Sequence, residues 1–227
     1  MDIRVASDPA GAAAVAADTI ARRLRAAAAR RPRVGLAASG GSTPALMFAA
    51  LAEMPLPWAQ VDLYQVDERV APDGDAARNR SLLDVLPVPA AQIASMPVTA
   101  VDLARGARRY ASRLPERLDV VHLGIGTDGH TASWPPGDPV IAAAGDVAIS
   151  SKYQGHVRMT LTPHAVNRAR NRVVLVTGAD KAEVVARWLL GDTSLPIQAL
   201  RRASTTVVLD QAAASHLRPT GLAAVAR

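Results

Sequence analysis

The sequence predicts an α/β fold: a doubly wound, mostly parallel sheet with helices on both faces, Rossmann-like, with a small hairpin elaboration. Three observations predict it. Residues 33–38, 118–123, 172–177 and 205–209 are short apolar runs without strict alternation, as strands covered on both faces are. Segments of helical period, apolar on one side, lie between them. Strand and helix alternate along most of the chain, which calls for parallel strands joined by right-handed crossovers. The 227 residues are read as one domain, 1–227, long enough to bury a core.

The elements follow in order. Residues 2–6 fit a short edge strand. A long helix starts at Asp8 or Pro9 and runs to about residue 30, with Val15, Ile20 and Leu24 on one side and arginines on the other. Residues 33–38 form the first buried strand. It ends in Ser39-Gly40-Gly41-Ser42-Thr43, and Pro44 suits the first position of a helix to about residue 53. Residues 58–67 form a strand ending in Asp67-Glu68-Arg69. A polar loop at 73–77 leads to a helix near 79–85. Residues 93–98 fit a short strand, and 102–114 a helix with a basic outer face. Residues 118–123 form a buried strand that stops at Gly124-Ile125-Gly126-Thr127-Asp128-Gly129-His130. Residues 147–151 and 156–161 alternate as a hairpin off the main sheet would. A short helix at 163–170 precedes the strand 172–177, and Gly178-Ala179-Asp180-Lys181 opens a helix to residue 190. A short helix at 196–200, a last strand at 205–209 and a turn capped by Asp210 complete the order.

Composition narrows the function. Apolar residues make up 49%, which excludes a disordered chain, while aromatics are only 3%. The absence of cysteine excludes disulfides and thiolate metal sites and favours an intracellular, cytoplasmic protein. The N-terminal residues lack the apolar core of a secretory signal, and no stretch is long and apolar enough to span a membrane. The net charge is +6, and 24 of 26 basic residues are arginines. The densest cluster, Arg22, Arg23, Arg25, Arg30, Arg31 and Arg33, reads as the solvated face of the first helix. Too few aromatics exist to stack bases, so no nucleic-acid partner is expected, and no obligate protein partner is evident. A basic balance suits a small anionic substrate.

Four motifs follow predicted parallel strands: residues 39–43, 67–69, 124–130 and 178–181. In a doubly wound sheet all four meet at the carboxyl edge, where ligands bind. The first offers two glycines, three hydroxyls and the open N–H groups of a helix start, a cradle for a phosphate or carboxylate. A simple cap needs one hydroxyl and not this density. Asp67, Glu68 and Arg69 fit a surface ion pair or a site equally well. Lys181, near a helix start in an arginine-rich chain, is placed for an anion. Gly124-x-Gly126-x-x-Gly129 matches the dinucleotide fingerprint, but Pro135, Pro136 and Pro139 bar the helix that motif requires. No histidine–carboxylate spacing suits zinc, so no metal is expected. Among the histidines, His122 reads as a satisfied core residue. His156, His164 and His216 lie away from any comparable turn, and His130 is left as the general-base candidate.

Taken in order, these pieces resemble a known family. Ser39-Gly40-Gly41-Ser42-Thr43-Pro44, Val66-Asp67-Glu68-Arg69, Leu123 to Ser133, Arg158-Met159-Thr160-Leu161-Thr162, Asn167-Arg168-Ala169-Arg170 and Val176-Thr177-Gly178-Ala179-Asp180-Lys181-Ala182 are similar to the 6-phosphogluconolactonases, within the group that includes the glucosamine-6-phosphate deaminases. The resemblance implies hydrolysis of 6-phospho-D-glucono-1,5-lactone in the pentose phosphate pathway, with no metal or cofactor. It implies His130 as the base that activates water, with Asp67 and Arg69 as an acidic-x-Arg pair beside it. It places Ser39, Gly40, Gly41, Ser42, Thr43 and Lys181 at the phosphate and adds Arg158 as a further cation. Gly126, Asp128 and Gly129 are read as substrate-binding, and the loop amides near Gly126–Gly129 or Arg69 are the candidates to hold the oxyanion. The chain departs from the family at Trp134-Pro135-Pro136, where Leu-Phe-Pro is usual, at His164, where leucine is, and at Arg78-Asn79, where Ser-Asn is. The deaminases carry a glutamate five positions after the histidine and tend to an aromatic residue at the position of Arg69. Here the fifth position is Pro135. The alternatives are a deaminase or isomerase of the same group, and a sugar-phosphate-binding regulator without catalysis.

Overall fold

The computed structural model describes residues 1–41, 43–217 and 223–224. Its strands are β1 (Asp2–Ala6), β2 (Val34–Ala38), β3 (Val61–Gln65), β4 (Asp67–Arg69), β5 (Ile93–Ala94), β6 (Val120–Leu123), β7 (Val147–Tyr153), β8 (His156–Leu161), β9 (Asn171–Val176), β10 (Thr205–Asp210) and β11 (Ala223–Ala224). Its helices are α1 (Pro9–Ala28), α2 (Pro44–Ala52), α3 (Leu103–Ala111), α4 (Pro163–Arg168) and α5 (Ala182–Leu190). The main sheet has the order β11-β1-β10-β9-β6-β2-β3-β5, and every pairing in it is parallel. From β2 the chain winds outward through β3 and β5, then returns to β6 and winds the other way. The order therefore reverses between β2 and β6, and that is where such sheets open a crevice at their carboxyl ends.

Both faces of the sheet are covered, which explains the unbroken apolar runs. Val34, Leu36, Val120, Val173 and Leu175 pack with the alanine-rich side of α1 and with Met47, Phe48 and Leu51 of α2. Ala37, Val121, Leu123, Val174 and Val176 face the other way, against Ala107 and Tyr110 of α3, Val166 of α4 and Trp188 of α5. Alanine at positions 12, 13, 16, 17 and 21 lets α1 lie close on the strands. Its start is set by Asp8, whose carboxylate accepts the Gly11 N–H at 2.8 Å and so satisfies one of the open amides of the first turn. No helix among the described residues is long and apolar enough to cross a membrane.

Several boundaries differ from the sequence reading. β1 is not an outer edge, since it pairs with β11 as well as β10. Arg22, Arg23, Arg25 and Arg30 are solvated as expected. Arg31 and Arg33 lie beyond the end of α1, where they pair with Asp119 and Asp62. The strand expected at 93–98 shrinks to two residues, because Pro97 supplies no N–H to a ladder. The helix expected at 79–85 is one 3₁₀ turn, Arg80–Leu83, since the Asn79 and Arg80 amides turn to the Glu68 carboxylate.

The largest difference lies after β3. Val66 donates its N–H to Ala38 in the main sheet and accepts the Leu161 N–H from a second sheet. The chain crosses there. β4 then pairs antiparallel with β8, and β8 with β7, so Asp67–Arg69 is a strand of the smaller sheet and not a loop.

Candidate active site

A cavity of about 260 Å³ lies over the β2–β6 reversal. The four motifs converge on it. Ser39, Gly40, Gly41 and Thr43 come from the β2–α2 turn, and Asp67 and Arg69 from β4. Gly126 and His130 come from the turn after β6, Arg158 from β8, and Lys181 from the turn before α5. Ser42 lies outside the described residues. Asp128 and Gly129 do not line the cavity. Gly129 has its N–H on the Gly126 carbonyl and its C=O on the Ile197 N–H, so its backbone is committed within the protein. Asp128 faces the imidazole instead.

The imidazole is held tightly. His130 Nδ1 lies 2.6 Å from Asp128 Oδ1, and Tyr153 donates its hydroxyl to Asp128 Oδ2 at 2.5 Å. Burial pushes the Asp128 carboxyl up, but the hydrogen bonds from Tyr153 and His130 outweigh it and hold it below its ordinary value. The Tyr153 phenol is pushed up to about 12 by burial and by the Asp128 carboxylate. With a carboxylate at Nδ1, the neutral ring carries its proton there and Nε2 is the basic atom. The ring stands where a side chain on residue 126 would be: a Cβ on Gly126 would lie 2.0 Å from its atoms. Gly129 has φ +82, so the turn itself needs glycine there. Behind the turn Trp134 is fully buried and donates Nε1–H to the Leu161 carbonyl at 2.7 Å, fixing the segment to β8. The departure at 134–136 is an anchor. After Gly129 no long helix opens, as the prolines require, so the dinucleotide pattern is coincidental.

The smaller sheet supplies the opposite wall. Asp67 is buried and accepts the Ser133 hydroxyl at 2.6 Å; burial pushes its carboxyl up. Glu68 is fully buried and accepts from Gln65 Nε2, Arg69 N, Asn79 N and Arg80 N, so the surface ion pair considered for this stretch does not occur. Arg69 donates to the Ala77 carbonyl at 2.5 Å and stands beside Asn79. Arg158 is buried, and its guanidinium lies 5.4 Å from the Tyr153 ring centre, within cation–π range. Its Nε has no partner among the described residues, and burial pushes its pKa down.

The β2–α2 turn is open toward the cavity. Among the described residues the buried Ser39 hydroxyl has no partner, and Thr43 makes no capping hydrogen bond to α2. Gly40 is required by contact, since a Cβ there would lie 2.3 Å from the Asn79 side chain. Lys181 already holds Asp180 at 3.1 Å, so its placement does not depend on a bound anion. His122 is a core residue but not a satisfied one. Both ring nitrogens lack partners among the described residues, burial pushes its pKa down to about 3, and its ring meets Phe48 edge-on at the cavity floor. Among the described residues no three His, Asp or Glu side chains group as a metal ion would need. Tyr153, Gln154 and Ser133 were not found by sequence. Only the Gln154-Gly155 turn signals the hairpin tip that brings Tyr153 to Asp128.

A profile described as glucosamine-6-phosphate isomerases/6-phosphogluconolactonase matches residues 7–209. The chain belongs to that family. It is 36% identical over 221 residues to the 6-phosphogluconolactonase of Rhizobium meliloti, covering 90% of this chain and 95% of the relative. The crystal structure of the 6-phosphogluconolactonase from Leishmania guyanensis superposes with a TM-score of 0.83 at 28% identity, covering 96% and 98% of the two chains. A monomeric glucosamine-6-phosphate deaminase gives a TM-score of 0.84 at 19% identity, over 95% of this chain and all of that one. The last likeness concerns the fold alone, so within this family the choice of chemistry rests on the residues at the cavity.

Proposed function

We propose that the protein hydrolyses 6-phospho-D-glucono-1,5-lactone to 6-phospho-D-gluconate, with His130 as general base. The observation that carries this is the Tyr153–Asp128–His130 chain, which puts a carboxylate on Nδ1 and leaves Nε2 as the basic atom of a ring that lines the cavity. The activity in the names of the relatives is the same reaction.

Ser39, Gly40, Gly41 and Thr43, the α2 N-terminus and Lys181 hold the 6-phosphate, as helix starts and cations hold anions. His130 Nε2 takes a proton from water while the oxygen attacks C1. The tetrahedral intermediate collapses as the C1–ring oxygen bond breaks. His130 returns the proton to that oxygen, and the product is the open-chain hydroxy acid. General-base assistance of this kind contributes about 10²–10⁴-fold. A lactone needs no covalent intermediate, since its acyl–oxygen bond is already activated. The Gly126 and Gly129 amides donate within their own turn, so the developing oxyanion falls to the cations Arg69 and Arg158.

The test is acid release from freshly prepared 6-phosphogluconolactone in a pH-stat, with unphosphorylated gluconolactone as control. His130→Ala is expected to lose at least about 10²-fold in kcat with the fold intact by circular dichroism. A variant that keeps more than about a tenth of wild-type kcat refutes the general-base assignment.

A further inference from the structure

A second cavity, of about 670 Å³, lies at the opposite, amino edge of the main sheet. It is built by the residues before β6 and β10, the end of α4 and the start of β9. Arg117, Arg168, Arg170, Arg172 and Arg201 line it with His164, and no aspartate or glutamate does. A strand of six residues separates it from the first cavity, roughly 20 Å at 3.3 Å per residue.

The charges there are only partly compensated. Arg168 pairs with Asp146 at 2.8 Å and Arg170 with Asp119 at 3.4 Å. Arg117 and Arg201 have no carboxylate within ion-pair range among the described residues, and both side chains reach solvent. Arg172 is 2% exposed. Its guanidinium donates to the Thr205 hydroxyl and to the carbonyls of Val166, Asn167, Ala169 and Ala203. These dipoles close the end of α4 but cancel no charge. Burial and the neighbouring Arg201 push its pKa down. Ser204, on the rim, is held at φ +58, a left-handed conformation unusual for serine.

We infer that this cavity is a binding site for a small molecule bearing two or more phosphoryl groups. Among the described residues three of these cations have no carboxylate partner: Arg117, Arg201 and the buried Arg172. One phosphate monoester carries about −1.5 to −2 at neutral pH, so two phosphoryl groups match the three cations and one does not. Guanidinium forks are suited to phosphate oxygens, and the recessed Arg172 supplies field without spending donors on the ligand. The site is concave, and no phenylalanine, tyrosine or tryptophan lines it. A nucleic-acid strand would need a stacking surface or an extended groove.

The test is isothermal titration of the full-length protein with inorganic tripolyphosphate, orthophosphate and a short DNA duplex at physiological salt. Tripolyphosphate is expected to bind at least about tenfold tighter than orthophosphate. The exposed double variant Arg117→Ala/Arg201→Ala is expected to lose at least about tenfold in tripolyphosphate affinity, and Arg117→Lys/Arg201→Lys less. Lys181→Ala, at the other edge, should leave this binding in place. Four results overturn the inference: no tripolyphosphate binding, equal binding of orthophosphate, an unchanged arginine double variant, or loss of binding in Lys181→Ala alone. Tighter, steeply salt-dependent DNA binding that the arginine double variant abolishes would assign the surface to nucleic acid instead.

Discussion

Asp128→Asn is expected to lower kcat by about 10²–10³-fold while leaving KM nearly unchanged. In the native protein the carboxylate accepts from His130 Nδ1 at 2.6 Å and from the Tyr153 hydroxyl at 2.5 Å. A hydrogen bond to a charged group contributes about 1.5–3 kcal/mol and a neutral one about 0.5–1.5. Only the bond to Nδ1 bears on the imidazolium, and removing the charge weakens it by about 1–1.5 kcal/mol. A third of the Asp128 side chain meets solvent, 34% by area, so about 1 kcal/mol is the fitting figure. That alone is about fivefold in rate. The amide adds a second loss. If its oxygen keeps the Tyr153 hydroxyl, its NH₂ faces Nδ1 and donates to it, which moves the ring proton to Nε2 and removes the base. KM is spared because Asp128 does not line the cavity. The assay is pH-stat acid release over a range of lactone concentrations, with circular dichroism confirming the fold. If Asp128→Asn retains more than about a tenth of kcat, Asp128 does not set the ring's tautomer.

Lys181→Ala should raise KM for the phosphorylated lactone more than it lowers kcat, and plain gluconolactone should be a poor substrate; equal turnover of the two lactones would contradict a phosphate site. Glucosamine 6-phosphate should release no ammonia in a coupled assay. Pro135 has no titratable group, and the Asp138 carboxylate is held by the Val140 and Ser151 amides at 2.8 Å each, so neither position gives His130 the second carboxylate of the deaminases. Ammonia at a rate comparable with lactone hydrolysis would point to the deaminase reading. All three tyrosines should titrate above the ordinary value near 10 in the native state. Burial raises Tyr64 and Tyr110, and burial with Asp128 brings Tyr153 to about 12. A phenol with a raised folded pKa contributes stability that is fully present below 10 and lost as pH rises through the folded value. Ultraviolet phenolate titration of native and urea-unfolded protein checks this, and a native phenol titrating near 10 would contradict it.

The fold was legible because its strands are buried on both faces. Unbroken apolar runs such as Val173-Val174-Leu175-Val176 have few other uses in a chain of this size. Motifs after parallel strands were legible for the same reason, since the topology sends them all to one edge. The seam at Val66 was not. Asp67-Glu68-Arg69 carries three charges and reads as a loop, and only the partner strand 158–160, ninety residues on, makes it a ladder. Tyr153 was hidden in the same way, because its contact with Asp128 depends on where the hairpin tip lands. His122 misled in the other direction. A buried histidine is ordinarily paired, and nothing in Val121-His122-Leu123 shows that the partners are missing.

Glu68 has a consequence for how mutational data on this protein would be read. It does not line the active-site cavity, yet its carboxylate gathers four donors and lies 3.2 Å from Arg78, fixing the loop 70–80 to the strand that presents Asp67 and Arg69. Replacing it by alanine would strand those donors, leave Arg78 only its contacts with Ala71 and Asp73, and free one wall of the cavity. In a screen scored by turnover alone Glu68 would rank beside His130. A screen scored by folding as well would separate the rivet from the reagent.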